Sequence, residues 1–288
     1  MAQPKLTVTE IDHINQLIKQ TDVALDHYRR LYGVQIDRIF EQEWGPYDNF
    51  VFKLGSALIE VFCPVPPDRM NGNTTTEKAE RAGEEFRRIH RRFGNMWQAV
   101  LWRVPNLEEA IESMAARDVR LVNVELEEDR RWAFTDPRDT FGMVMQLEDR
   151  TGWDKSIAPN PLGVTRLDGL TIAVNDADEA SSFFQGLITD AEVTYRQTRP
   201  RLDATAVGVR MGGYNVEFIS PAGDGEISRF LDHYRQRIRT ATFAVESLDR
   251  LKSHFAEHGV KLRDGDIPDT LMIAPEDNLD CQMQFREA

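Results

Sequence analysis

The sequence predicts an α+β chain of four β-α-β-β-β modules arranged in two paired domains, and three observations carry that prediction. A short apolar strand runs into a helix four times, each helix is followed by further strand-like runs, and the four starts recur at a steady interval. The starts are Ile11 to Leu17, Ala99 to Val104, Gly169 to Val174 and Thr240 to Val245. With His13, Ala99, Gly169 and Thr240 taken as equivalent, the spacings are 86, 70 and 71 residues.

Module one opens with the strand at Ile11, continues through a helix carrying Asp22 to Tyr28, and closes on the apolar run Ala57 to Phe62. A Thr74-x-x-Glu77 capping box after the turn Asn71 to Thr76 starts a linking helix, 75–93, which lengthens the first interval and is placed to cover a pocket. Module two is the clearest. Val100, Trp102 and Val104 alternate with Leu101 and Arg103 as on a buried strand, and Asn106 caps a helix through Met114 and Ala115. Strands restart at Val119 to Val124, Trp132 to Thr135 and Gly142 to Leu147. Residues Asp149 to Leu167, rich in Pro, Gly and charge, read as a link. Module three runs from Gly169 to the strand Tyr214 to Phe218. Module four has a helix from Ser247 to Glu257, stopped at Gly259, and strands near Lys261, Leu271 to Ala274 and Cys281 to Phe285. Its segment Ala274 to Asp280 parallels Thr135 to Gly142 of module two. The domains are therefore expected at 1–148 (modules about 8–65 and 95–148) and 168–288, with 149–167 between them.

Composition narrows the function classes. No stretch of the 288 residues approaches the uncharged apolar run of a membrane helix, and the start Met-Ala-Gln-Pro-Lys-Leu-Thr lacks a secretory signal's apolar core. Two distant cysteines, Cys63 and Cys281, give no disulfide framework and fit a reducing cytoplasm. A net charge of −13 disfavours nucleic acid and anionic lipid. The expected partner is a small molecule, and a homodimer is compatible with everything above.

The strings Asp12-His13-Ile14, Asp22 to Tyr28, Leu31-Tyr32-Gly33-Val34 and Leu58-Ile59-Glu60-Val61 resemble the first module of the vicinal oxygen chelate superfamily, the glyoxalase, bleomycin-resistance and extradiol dioxygenase group. Val104 to Ala110 and Phe134-Thr135-Asp136-Pro137 resemble its second. The resemblance implies modules paired into cupped eight-stranded half-barrels, often with a divalent metal held by residues of the first and last strand of each paired module. Carried over, it marks His13 and Glu60 in module one, Ala99 and Gln146 in module two, Gly169 and Glu217 in module three, and Thr240 and Gln284 in module four. His13, Glu60 and Gln146 would then hold Fe, Mn, Zn or Ni in the first domain, with no metal expected in the second. Gln98, next to Ala99, reaches the site only if the register slips.

Extradiol cleavage fits less well, because His13 has no second histidine beside it. An isomerase or lyase step through an enolate-like state is the leading expectation, with Glu60 and Glu217 as catalytic candidates. Glu60 interrupts an apolar strand, where an unpaired charge costs several kcal/mol. All five tryptophans lie in the first half; Trp102 and Trp132, with Gln98, are candidate pocket walls for an apolar or aromatic oxygenated compound. The competing expectation is a metal-free protein that sequesters a small molecule. Two motifs are set aside. His254-Phe255-Ala256-Glu257-His258 spells a zinc-protease order but sits at a helix end, and Arg87, Arg88, Arg91 and Arg92 are expected to pair with neighbouring glutamates.

Overall fold

Polar caps set where three of the four module helices begin. Asn106 accepts a hydrogen bond from the Glu109 N–H, Asp176 from those of Asp178 and Glu179, and Ser247 from that of Arg250, so N–H groups that a helix start leaves open are satisfied. The computed structural model of the chain describes residues 3–36, 38–71, 77–128, 130–150, 152, 154 and 156–288. The Thr74 capping box, most of the turn before it and Trp153 lie outside the described residues.

Module one is β1 (Glu10–Leu17), α1 (Thr21–Tyr32), β2 (Ile39–Glu41), β3 (Tyr47–Leu54) and β4 (Ala57–Pro64); a linking helix α2 (Glu77–Phe93) follows. Module two is β5 (Met96–Arg103), α3 (Leu107–Ala115), β6 (Leu121–Glu127), β7 (Arg130–Thr135) and β8 (Val144–Glu148). Module three is β9 (Val164–Ala173), α4 (Ala177–Leu187), β10 (Glu192–Arg199), β11 (Ala204–Met211) and β12 (Tyr214–Pro221). After a second linking helix, α5 (Glu226–Tyr234), module four is β13 (Arg237–Val245), α6 (Leu248–Glu257), β14 (Leu262–Asp264), β15 (Leu271–Ile273) and β16 (Gln282–Glu287). The fold is thus α+β, with the strands in two eight-stranded sheets ordered β2-β3-β4-β1-β5-β8-β7-β6 and β10-β11-β12-β9-β13-β16-β15-β14. Neither sheet closes on itself, as expected of cupped half-barrels. Sequence reading placed the β6 strand two or three residues early, because Val119 and Arg120 continue its apolar pattern before the pairing starts.

In each module the last strand lies beside the first. The β1–β4 pairing is parallel and sets Asn15 beside Glu60; β9–β12 repeats it with Thr171 beside Glu217, and β5–β8 with Leu101 beside Gln146. The parallel between modules two and four also holds at the backbone: Phe141 and Gly142 both have positive φ, and so do Leu279 and Asp280.

By backbone proximity the chain divides into two compact units, one of Met1–His13, Ala99–Asp154 and Asp168–Thr242, the other of Ile14–Gln98, Lys155–Leu167 and Phe243–Ala288. In the first unit Phe184 of α4 stacks on Phe218 of β12 at 5.0 Å between ring centres, and Phe141 packs on Phe183 at 5.4 Å. On the opposite face of β12, Ile227 of α5 packs with Ala173, Ala204, Ala206 and Ile219. Burying each large side chain contributes about 1.5–3 kcal/mol, so Phe184→Ala, which also leaves a cavity, would cost about 3–5 kcal/mol.

In the second unit the α1 face buries Tyr28 and Tyr32 completely. The Tyr28 hydroxyl donates to Gln16, while the Tyr32 hydroxyl and His27 Nε2 share the Asn278 side-chain oxygen at 2.5 and 2.9 Å. His254 has its Nε2 against the Leu31 carbonyl at 2.8 Å, which accounts for half of the zinc-protease-like motif as a packing contact. On α2, Arg88 pairs with Glu85 and Arg87 donates to the Val65 carbonyl.

Candidate functional site

A row of buried charges crosses the first unit. On β1, Asp12 and His13 follow each other; on β5 and β8, Arg103 and Glu148 lie side by side in parallel register. The Asp12 carboxylate meets His13 Nδ1 at 2.9 Å and Arg103 Nη2 at 3.2 Å. Arg103 Nη1 meets Glu148 at 3.0 Å and donates to the Arg150 carbonyl at 2.7 Å. Glu148 also accepts from Gln146 Nε2 at 3.1 Å and from Arg150 at 3.3 Å, and the Arg150 guanidinium lies 5.8 Å from the centre of the Trp132 ring. Asp12 is 1% exposed, Arg103 6% and Glu148 5%, a depth at which each charge would cost several kcal/mol without the others.

Burial alone would push the Asp12 carboxyl up, but the His13 hydrogen bond and charge, together with the Arg103 guanidinium, outweigh it and hold the group far below its usual value. An ionised Asp12 can only accept, so Nδ1 of His13 carries the proton and Nε2 bears the lone pair. Arg103 Nε is buried with no hydrogen-bond partner among the described residues. Gly152 covers this spot with backbone alone: a Cβ there would fall 2.6 Å from Asp12 Oδ1 and 3.2 Å from Arg103 Nε. Through the Asp12 carboxylate the imidazole and the guanidinium belong to one buried cluster.

A second cluster in the same unit surrounds Glu217, which is 2% exposed. Tyr195, Gly208, Glu217 and Thr171 stand in one row across β10, β11, β12 and β9. Gly208 has no side chain, so the Tyr195 ring lies over β11 and its hydroxyl donates to Glu217 at 2.7 Å; a Cβ on Gly208 would come within 2.3 Å of that ring. Arg199 Nη2 takes the same carboxylate oxygen at 2.5 Å, and Thr171 Oγ1 lies 3.5 Å from the other. Burial and the neighbouring carboxylate push the Tyr195 hydroxyl's pKa up. Glu217, a catalytic candidate by sequence, is held by this guanidinium and phenol.

The remaining candidates are placed as follows. Glu60 belongs to the second unit, half-buried on β4, and accepts from Asn49 Nδ2 at 2.8 Å. Gln98, also there, is buried on β5 with its side-chain oxygen lacking a partner among the described residues. In the first unit Trp102 is fully buried and packs near Gly212, whereas Trp132 is half-buried; the indole N–H of each is without a partner among the described residues.

At the other positions that the resemblance marks, the structure shows what each residue does instead. Ala99 is fully buried in register with Val144. At Gly169 a Cβ would lie 2.3 Å from the Asn215 carbonyl oxygen, so no side chain fits. Gln284 instead fastens a loop, accepting from the Asp266 N–H at 3.0 Å and the Thr270 hydroxyl at 3.2 Å. The fit of a divalent metal is correspondingly poor. Among the described residues no three His, Cys, Asp or Glu side chains form a group able to hold an ion. In the first unit the carboxylates of the His13 row, Asp12 and Glu148, are committed to guanidinium groups, whose positive charge opposes a cation.

Sequence reading treated Asp12 only as a local partner of His13 and passed over Arg103, Glu148, Tyr195 and Arg199. The available signal was charge within apolar strands, as in Val100-Leu101-Trp102-Arg103-Val104, the argument that singled out Glu60. No helix among the described residues is long and apolar enough to cross a membrane.

No family model and no curated protein matches the sequence. Among solved structures, the chain is similar to a triple mutant of 4-hydroxymandelate synthase from Streptomyces coelicolor at 12% identity and a TM-score of 0.72, covering 96% of this chain and 92% of that one. It is also similar to a xylose isomerase-like TIM barrel/4-hydroxyphenylpyruvate dioxygenase fusion protein at 13% identity and a TM-score of 0.62, covering all of this chain and half of the fusion. At such identities the likeness speaks for architecture. The four modules and two open eight-stranded sheets are the architecture this chain shares with those two structures.

Proposed function

We propose that the chain is an enzyme that moves a proton on a small oxygenated organic compound, with His13 as the base and Arg103 as the group that meets the substrate oxygen. The observation that carries this reading is the buried Asp12–His13 pair beside a guanidinium whose Nε has no partner among the described residues. A carboxylate that fixes one imidazole nitrogen raises the basicity of the other, as in many general bases. In the step envisaged, His13 Nε2 takes the proton from the carbon next to a carbonyl. The C–H electron pair moves into the new carbon–carbon double bond, and the carbonyl electrons move onto oxygen, where the Arg103 N–H stabilises the enolate. Return of the proton to the other face or to the neighbouring carbon gives an isomer; loss of a group from the next carbon gives a lyase product. The half-buried Trp132 beside Arg150 would supply an apolar wall. Small oxygenated compounds are also what the two structural neighbours' names indicate for those proteins.

The test follows exchange of the α-proton in D2O by proton NMR, over a panel of 2-oxo acids, 2-hydroxy acids and ketones, with protein dialysed against chelator. Exchange by at least one compound is expected, abolished in His13→Ala and slowed about 10–100-fold in Asp12→Asn. The proposal fails if His13→Ala exchanges at the wild-type rate, if exchange demands added metal, or if a compound binds saturably and none on the panel exchanges. That last outcome describes a sequestering protein.

A further inference from the structure

The segment His254-Phe255-Ala256-Glu257-His258 closes α6, and the function proposed above makes no use of it. Phe255 is fully buried and meets the Tyr32 ring edge-on at 6.2 Å between centres, which fixes how α6 lies against α1. His254 and His258 flank it, both half-buried and one helical turn apart, so their side chains share a helix face. Their ring centres are 4.4 Å apart, with the planes tilted by 32°.

Backbone carbonyls settle which nitrogen of each ring carries the proton. His254 Nε2 lies 2.8 Å from the Leu31 carbonyl oxygen near the end of α1, and His258 Nδ1 lies 2.9 Å from the His254 carbonyl oxygen. A carbonyl oxygen only accepts, so both of these nitrogens donate. In the neutral rings the lone pairs therefore fall on His254 Nδ1 and His258 Nε2, and neither nitrogen has a partner among the described residues. Histidines that ligate a metal have this same form, one nitrogen on the ion and the other N–H held by a carbonyl or carboxylate.

We propose that His254 Nδ1 and His258 Nε2 together bind one divalent transition-metal ion, Zn2+, Ni2+ or Cu2+, with water filling its other positions. Imidazole nitrogen suits these ions and not Mg2+ or Ca2+. An ion about 2.1 Å from each nitrogen sits roughly 3.2 Å from each ring centre, and centres 4.4 Å apart then subtend roughly 90° at the ion, close to square-planar and octahedral coordination. The C-terminus of α6 adds partial negative charge, which favours a cation there. Because the His254 ring also donates to Leu31, the ion tightens the hold of α6 on α1, both in the second unit. His13, the proposed base, belongs to the first unit and takes no part.

Calorimetric titration of the chelator-stripped full chain with Zn2+, in excess Mg2+, is expected to show one ion bound per chain and a raised melting temperature. His258→Gln removes one ligand and leaves the Leu31 contact in place. Its metal-free melting temperature is expected to stay at the wild-type value, while its Zn2+ affinity falls about 100-fold, since loss of even an outer partner costs about 10–100-fold. The Cu2+ complex of the wild type is expected to show splitting from two imidazole nitrogens in electron paramagnetic resonance. His13→Ala is expected to bind Zn2+ as the wild type does. A chain that binds no Zn2+ up to millimolar concentration, undiminished affinity in His258→Gln, or loss of binding in His13→Ala would each overturn the assignment.

Discussion

Gly208→Ala is the change that asks most directly what Glu217 is held by. The new methyl carbon would lie 2.3 Å from Tyr195 Cε1 and 2.5 Å from Cζ, inside any real contact distance. Tyr195 is the half-buried far end of a side chain on the edge strand β10, so the ring, and not the backbone, gives way. Its hydroxyl then leaves Glu217, and a charge-assisted hydrogen bond of 2.7 Å is lost. Such a bond is worth about 1.5–3 kcal/mol. Alanine in a strand interior regains about 0.5–1 kcal/mol over glycine, which leaves a net loss of about 1–2 kcal/mol. For a chain of this size that is roughly 2–8 °C in melting temperature. Urea unfolding of a double-mutant cycle provides the assay. In a Tyr195→Ala background the ring is gone, so Gly208→Ala should there be neutral or stabilising by about 0.5–1 kcal/mol. The same loss in both backgrounds would refute the idea that Gly208 exists to let the tyrosine cross β11.

Three other outcomes are expected. Gly169→Ala drives a methyl into the Asn215 carbonyl, which is backbone and cannot swing aside, so its cost should exceed that of Gly208→Ala and reach about 3 kcal/mol in urea unfolding. Because Asp12 is held below its unfolded value, its contribution to stability is complete at pH values above the unfolded carboxyl's pKa of about 4 and disappears as pH falls toward its folded value. Stability measured from pH 6 down to pH 2 should therefore fall less steeply in Asp12→Asn than in the wild type. Cys63, pushed up to about 12 by burial, and Cys281, raised well above its usual value by burial, should resist iodoacetamide at pH 8 in the folded protein and react fully in denaturant, as read by mass spectrometry.

Repetition made the fold legible. A strand-helix start recurring four times, with caps at Asn106 and Ser247, predicted the modules, because hydrophobic period and capping chemistry are local and read directly from neighbouring residues. Strand ends were less legible: Val119 and Arg120 look like β6, and only pairing with β7 decides that it starts at Leu121. Within the site, Glu217 was visible as a charge within an apolar strand, and His13 through the resemblance carried by Asp12-His13-Ile14. What each touches was not. The partners of Glu217 are an arginine 18 residues away and a tyrosine 22 residues away, the tyrosine lying over a glycine that leaves it room, and the Arg103–Glu148 pair spans 45 residues. Such pairings depend on which strands become neighbours in the sheet, and no local pattern encodes that.

The close approach of the Asn215 carbonyl to Gly169 has a longer reach than one substitution. A histidine cannot be installed at that point by changing that residue alone, since the obstruction belongs to the main chain of another strand. Any route by which module three came to hold a ligand there would first have to reshape β12, the strand that also carries Glu217. Within this chain the obstruction is built into the main chain, and engineering a metal site into it would have to begin from another strand.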